Sequence, residues 1–411
     1  MRQRYYDAQE TRDPALRERD MLAALPAQVA HAKANTPFFS QLFARFDPRE
    51  VNSRAALAAL PVTRKSTLIE LQKAHPPFGG LNATPIGRLA RVFVSPGPIY
   101  DAEGHGADFW GTARALFAAG FREGDLVHNT FSYHFSPAAS MFETGAHALG
   151  CAVIPAGTGQ TEMQLAAIAQ LKPQGYAGTP SFLKILIEKA EEAGTDISSL
   201  RRAVVSGEAL FPAVREFLAA RHIDAYQSYG TADLGTIAYE SPAREGLIVS
   251  ENILVEILKP GTGDPVTEGE VGEVVVTRFN RDYPLIRFAT GDLSSVLPGV
   301  SPCGRTNTRI KGWQGRADQT TKVRGLFVHP QQVAEIVKRH AGIVRARLVV
   351  DQVNGADAMS LHCEAANGLD TEAVAASVRD VTKLRAEVCT AAVGSLPNDG
   401  KVIEDRRKIA V

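Results

Sequence analysis

The sequence predicts a large layered α/β domain carrying a β-rich subdomain, followed by a small α+β domain. Three observations predict it. The chain has 411 residues, too many for one ordinary core. Between about 90 and 240, short apolar runs alternate with helix-length segments, the pattern of strands and crossover helices around a largely parallel sheet. After about 245 the helical spacing gives way to β runs and Gly/Pro turns, and from about 319 a helix–strand mixture returns.

The elements follow in order. Met21 to Ala34 keeps apolar residues at helical spacing, and Phe38, Phe39, Leu42 and Phe43 cluster after it. Leu89 to Val94 reads as a strand ending in Ser95-Pro96-Gly97-Pro98, and Phe109 to Ala119 as a helix. Cys151 to Ile154 reads as a buried strand, with a helix near Glu162 to Leu171 after it. Phe182 to Ala193 (helix), Arg202 to Val205 (strand) and Pro212 to Arg221 (helix) complete the alternation. Leu254 to Leu258 and Glu273 to Thr277 are strands separated by Pro260-Gly261-Thr262-Gly263-Asp264-Pro265, a turn-forming run. The last unit has helices over Pro330 to His340 and Asp370 to Leu384, with strands near Arg345 to Val350 and Ala358 to Cys363. We divide the chain at Gly315-Arg316-Ala317-Asp318: a large domain over 1–317, with its β-rich part at about 245–315, and a small mobile domain over 318–411.

Composition excludes several function classes. Lysine plus arginine and aspartate plus glutamate are equal at 45 each, so no net charge draws the chain to nucleic acid or anionic lipid. No apolar run is long enough to span a bilayer, and the amino terminus lacks the apolar core of a secretory signal. Cys151, Cys303, Cys363 and Cys389 have no paired spacing, which predicts reduced thiols and a cytoplasmic location. Cys303, in Pro302-Cys303-Gly304, reads as a loop cysteine rather than a zinc ligand.

Five segments carry chemistry, and each has a plainer reading beside it. Ser206-Gly207-Glu208-Ala209-Leu210 follows a strand, where glycine lets a flat ligand approach the backbone; an ordinary strand-to-helix turn looks the same. Tyr226 to Asp233 puts an aromatic ring, Gly230, the Thr231 hydroxyl and the Asp233 carboxylate in one turn. That set suits a base, a phosphate and Mg²⁺, or a tyrosine packed beside a loop. In Tyr283 to Leu293, Gly291 frees the backbone beside Asp292, whose two oxygens suit a ribose or simply a turn. Gly315 to Asp318 with Lys322-Val323-Arg324-Gly325 reads as a functional connection or a charged hairpin. Pro397-Asn398-Asp399-Gly400-Lys401 presents a lysine on a turn, as many solvated loops do.

In order and spacing these five segments resemble the adenylate-forming superfamily, and within it the phenylacetate–CoA ligase family, over nearly the whole chain. Tyr5-Tyr6, Gly150 to Pro155, Gly159-Gln160-Thr161-Glu162 and Thr179-Pro180-Ser181 share the likeness. The resemblance implies that a carboxylate attacks the α-phosphorus of ATP, and that the thiol of coenzyme A then displaces AMP after the small domain rotates. It implies Gly207 and Glu208 beside the adenine, Tyr229, Gly230 and Thr231 against adenine and α-phosphate, and Asp292 on the ribose with Arg316. It implies Asp318 as hinge, Gly325 in the loop that turns toward the thiol, and Asp233 as the ligand of Mg²⁺. Lys401 would reach the carboxylate and α-phosphate, where an ammonium stabilises developing charge. Phe131, Tyr133, His134 and Phe135 match an aromatic segment lining the acyl pocket, and relatives imply a homodimer.

The sequence departs from the family at its phosphate loop. The family has Ser-Ser-Gly-Thr-Thr-Gly and then a basic residue and proline; here Ser95-Pro96-Gly97-Pro98-Ile99-Tyr100 lacks the threonines, the second glycine and the cation. Prolines also remove N–H donors a phosphate cradle uses. Asp233 stands where a glutamate is usual. The leading expectation is an aryl or arylacetic acid–CoA ligase; a ligase with an amine or other acceptor, and a non-catalytic nucleotide or acyl binder, stand beside it.

Overall fold

Runs such as Ala203-Val204-Val205 have no polar face, which suits strands covered on both sides. In the computed structural model, which describes residues 3–95, 98–319, 321–324, 326–353, 356–366, 368–397 and 401–407, such runs form a nine-stranded mixed sheet. One half is parallel, in the order Ala152–Pro155, Leu126–Asn129, Gly175–Gly178, Arg202–Val205, Asp224–Thr231. The other half continues antiparallel through Gly235–Glu240, Leu247–Val249, Arg309–Ile310 and Val296–Leu297.

Helices Ala138–Ala148, Thr161–Leu171, Pro180–Ala193 and Pro212–Ala219 make the crossovers. Pro180–Ala193 shows why they form. The Thr179 hydroxyl accepts from the Phe182 N–H, proline opens the first turn, and Gly194 at φ 64° closes the last. Leu183, Leu186, Ile187 and Ala190 fall on one face and pack with Ile168 of helix Thr161–Leu171 and with Tyr176 and Val205 of the sheet. Leu186→Ala there would cost about 2–5 kcal/mol.

Two strands depart from expectation. Arg91–Ser95 does not join the main sheet; it pairs antiparallel with Ile99–Glu103 as a two-stranded hairpin. The connection is too short for a parallel crossover, which takes a dozen residues or more. Ala152–Pro155, expected to be buried, is the edge strand and is half-buried to exposed. Leu126–Asn129 and Gly175–Gly178 were not foreseen, since one ends in two polar residues and the other is bounded by glycines.

A second sheet holds Thr63–Arg64, Leu285–Ser294, Gly272–Arg278 and Ile253–Leu258. Its first strand comes from the amino-terminal region and runs parallel to Leu285–Ser294, with Thr63 opposite Phe288 and Arg64 opposite Ala289. Helix Pro14–Asn35 covers this region through Met21, Leu25 and Val29. Toward the carboxyl end, Glu387–Ala391, Ala356–Ala365, Ile343–Val353 and Ile403–Asp405 form a four-stranded sheet. With helices Pro330–Arg339 and Thr371–Thr382 it encloses a core running from Val323 to Ile403 that takes in no earlier residue. None of the four cysteines is paired, and Cys303 is buried against the Ser301 hydroxyl as a loop residue. Among the described residues no helix is long and apolar enough to cross a membrane.

Candidate active site

The parallel half of the large sheet ends where Asp224–Thr231 meets the antiparallel half, and clefts in such sheets open at the carboxyl ends of the strands. Val205 lies opposite Gln227, so Ser206-Gly207-Glu208 and Ser228 to Thr231 leave the sheet side by side. Gly207 sits at φ +80°, and a Cβ on Gly230 would meet the Gly235 carbonyl oxygen at 2.3 Å. Both positions therefore need glycine. Gly207, Glu208, Tyr229, Gly230, Asp292 and Trp313 line a cavity of about 260 Å³.

Asp292, near the end of strand Leu285–Ser294, organises that cavity. Its Oδ1 accepts from Arg316 Nη1 at 3.1 Å and from Trp313 Nε1 at 3.2 Å, and its Oδ2 accepts from the Tyr229 hydroxyl at 3.0 Å. A Cβ on Gly291 would lie 2.8 Å from Arg316 Nη2, so glycine lets the guanidinium cross the strand. Burial, and then the charge of Asp292, push the Tyr229 phenol well up, which keeps it a donor. A carboxylate offers about four lone-pair sites and three are taken, so Asp292 has one left for a ligand hydroxyl, and a second hydroxyl has to displace one of the three donors. Glu208 lies at the exposed mouth and accepts from the Ser181 hydroxyl at 2.9 Å. Trp313 was missed by sequence reasoning; a tryptophan with 47% exposure just before Gly315-Arg316 was the available signal.

A second cavity of about 190 Å³ adjoins the first. Phe131 lines it and stacks on Phe142, ring centroids 4.7 Å apart at 22°. Thr231, Met141 and Pro137 are also in its wall. Tyr133, His134 and Phe135 correct the expectation for this segment, because none of them lines the cavity. The chain reverses there: Phe135 has φ 57° and a 73% exposed side chain, and its carbonyl accepts from the Val94 N–H. The Tyr133 hydroxyl is held outside by Glu143 at 2.6 Å and Asn129 at 3.0 Å. Phe142 and Met141, on helix Ala138–Ala148, supply the wall instead. Ser206, Gly207, Ser228 and Gly230 line both cavities, so occupants of the two would meet at this boundary.

Beyond Thr231 the character changes. The Asp233 side chain is fully buried, and its Oδ2 accepts from Lys65 Nζ at 2.6 Å. Asp101, on the hairpin strand Ile99–Glu103, is 1% exposed. Both Asp101 oxygens and Asp233 Oδ1 lack a hydrogen-bond partner. Burial, and next the negative charge of Asp233, push the Asp101 carboxyl well above its ordinary value. Among the described residues no three His, Cys, Asp or Glu side chains converge on a metal position. Two carboxylates with orphaned oxygens do fit a hard cation such as Mg²⁺, which takes one or two protein carboxylates and fills its shell with water and phosphate.

Lys401 and Asp318 are not in the walls of the two cavities. Lys401 is exposed and lines a separate recess of about 130 Å³ with Arg345, Arg347 and Pro397. The N–H of Val402, its neighbour, is fixed to Gln319 Oε1 at 2.7 Å. Asp318 lies in the single 3-10 turn Ala317–Gln319. Gly325, Pro96, Gly97 and Asn398 to Gly400 lie outside the described residues.

With this geometry in view, the comparisons with known proteins can be set beside it. The family model of an AMP-binding enzyme matches residues 106–280. A phenylacetate–coenzyme A ligase of Aromatoleum evansii is 31% identical over 84% of this chain and 80% of its own. One of Thermus thermophilus is 31% identical over 79% of this chain and 77% of its own. In fold, the chain superposes on 2-hydroxyisobutyryl-CoA ligase, solved in an open conformation with 2-HIB-AMP and CoA. The TM-score is 0.85, at 24% identity, over 98% of this chain and 94% of that one.

Proposed function

The chain belongs to the phenylacetate–coenzyme A ligase family of AMP-forming acid–thiol ligases, and we propose that it adenylates a small aromatic carboxylic acid and passes the acyl group to coenzyme A. The observation that carries this reading is the shared boundary of the two cavities. An acyl-adenylate has a nucleoside on one side of its α-phosphorus and an acyl group on the other. Here a cavity lined by Asp292, whose carboxylate pairs with Arg316, and a cavity walled by Phe131 and Phe142 share Ser206, Gly207, Ser228 and Gly230.

In this reading Asp292 binds the ribose hydroxyls, one on its free lone-pair site and the other in place of a present donor; Gly207, Glu208 and Tyr229 border the adenine, and Gly230 and Thr231 face the α-phosphate. The acid lies against Phe131 and Phe142. At about 190 Å³ the acyl cavity is below the roughly 300 Å³ at which ordinary small-molecule sites begin, which favours a small acid. Stacked rings as its wall favour a flat one. Mg²⁺ brought with ATP would be held by Asp233 and Asp101, and when bound it supplies charge neutralisation to the phosphates.

Lys401 is the electrostatic catalyst of adenylation in this account, and it requires motion. We assign residues 318–411 as the small domain, turning about Ala317–Gln319 at Asp318, since the Val323-to-Ile403 core is self-contained. A cavity of about 730 Å³ lined by Phe211 and Trp313 on one side and Val333, Val337 and Val402 on the other gives that domain space to move. The same turn would bring Gly325 toward the incoming thiol. The reading assigns the enzyme to the cytoplasm, which four unpaired cysteines suit; a homodimer rests on the family likeness alone.

Acceptor choice tests the second half-reaction. Purified protein given ATP, Mg²⁺ and an aryl acid should form a thioester with coenzyme A faster than it forms a hydroxamate with hydroxylamine. Faster transfer to the amine would move the chain to the amide-forming reading.

A further inference from the structure

Lys65 comes from a part of the chain to which no motif was assigned, yet it reaches the centre of the site. It follows strand Thr63–Arg64, whose register against Phe288 and Ala289 points the next residue along Thr290 to Asp292. Its ammonium sits 2.6 Å from Asp233 with the side chain 23% exposed, at the rim of the buried acidic pair. Burial works against its charge, but the carboxylates of Asp233, Asp101 and Asp292 outweigh burial and hold the ammonium above its ordinary value. Lys65 thus stands between the ribose carboxylate and the acidic pair.

The third direction out of the cavity boundary leads here. The nucleoside leaves toward Asp292 and the acyl group toward Phe131, so the pyrophosphate of ATP must leave past Thr231, and Asp233 is two residues further on. In sequence, the connection Ser95-Pro96-Gly97-Pro98 carries no cation, and Arg91 at the start of the preceding strand is paired with Glu103. Three carboxylates near one lysine would repel a polyphosphate unless positive charge turned toward it. The four-carbon stem lets an ammonium exchange a carboxylate for a phosphate at small cost, which the fork of an arginine does less readily.

Resting on the adenylation reading, we propose that Lys65 is the phosphate-binding cation of this site. It is stored on Asp233 while the site is empty and contacts the β- and γ-phosphates when ATP is bound, a task the hairpin cannot perform. Lys65 acts only on adenylation, because AMP and the acyl-adenylate lack those phosphates.

Titration of ATP and of AMP against wild type, Lys65→Met and Lys65→Arg, with melting temperatures recorded, separates this from a structural ion pair. Lys65→Met should weaken ATP by about tenfold or more while AMP binding stays within about twofold, and Lys65→Arg should recover part of the loss. In turnover, Lys65→Met should lower acid-dependent pyrophosphate release and leave thioester formation from supplied acyl-adenylate unchanged. Equal weakening of ATP and AMP, or equal loss of both half-reactions, would overturn the proposal, as would unchanged ATP affinity in a folded variant. The binding arm needs no turnover: a wild type that releases no pyrophosphate contradicts the adenylation reading, while the ATP-to-AMP contrast still decides Lys65.

Discussion

At the end of the site proposed for adenosine, Asp292 receives hydrogen bonds from Arg316, Trp313 and Tyr229, all from the strands and turns that build the cavity. At the end proposed for the phosphates, Lys65 pairs with Asp233, and among the described residues Asp101 Oδ1, Asp101 Oδ2 and Asp233 Oδ1 have no donor. The first end is satisfied before any ligand arrives and so holds its geometry. The second carries buried charge that a cation or a proton must compensate. A site can be rigid where it recognises a nucleoside and electrostatically incomplete where it awaits a charged one.

Lys401→Ala is the hardest blow to this picture, because it removes the cation that must arrive from the far side of the hinge. Adenylation should fall by about 10²–10³-fold, the usual effect of deleting a transition-state charge partner. Thioester formation from supplied acyl-adenylate should stay nearly intact, and an equal fall in both would remove Lys401 from its role. Asp292→Ala should act on the satisfied end. It deletes the ribose acceptors and strands three donors, so the ATP requirement should rise by about tenfold to a hundredfold, with AMP affected equally. An ATP dependence like that of wild type would sink the ribose assignment.

Asp101→Asn is the mildest change and the sharpest contrast. A carboxyl held above its ordinary value weakens the fold at neutral pH, and that cost disappears as pH falls into the ordinary carboxyl range. The amide should therefore raise the melting temperature at pH 7, by an amount that shrinks toward pH 4, while raising the Mg²⁺ concentration needed for turnover. A lower melting temperature at pH 7 would mean that the Asp101 charge is compensated and that the two ends do not differ as described.

What the sequence made legible follows the same division. The adenosine end rests on contiguous runs, Ser206 to Glu208, Tyr229 to Thr231 and Gly291-Asp292, whose glycines and strand contexts are visible locally. Asp233 was also visible, but its partner Lys65 lies 168 positions away and meets it only because Thr63–Arg64 pairs with Leu285–Ser294. Long-range pairing of a two-residue strand leaves no periodic signal. The wall of the second cavity was half legible: Phe131 lines it, but Tyr133, His134 and Phe135 follow a reversal at a positive φ that aromatic composition does not announce. Lys401 was readable as a lysine on a turn and Asp318 as an acid at a connection, while the separation of Lys401 from the two cavities is a property of the tertiary arrangement.

Adenylation is proposed here for a site whose Ser95-Pro96-Gly97-Pro98 connection carries no cation. Pyrophosphate release from ATP and Mg²⁺, followed across aryl, arylacetic and short aliphatic acids, tests that claim most directly. The account predicts release that depends on the acid, is greatest for a small aromatic one, and does not require coenzyme A to begin. Absence of release with every acid, from folded protein that still binds ATP, would contradict it and leave a nucleotide-binding relative in its place.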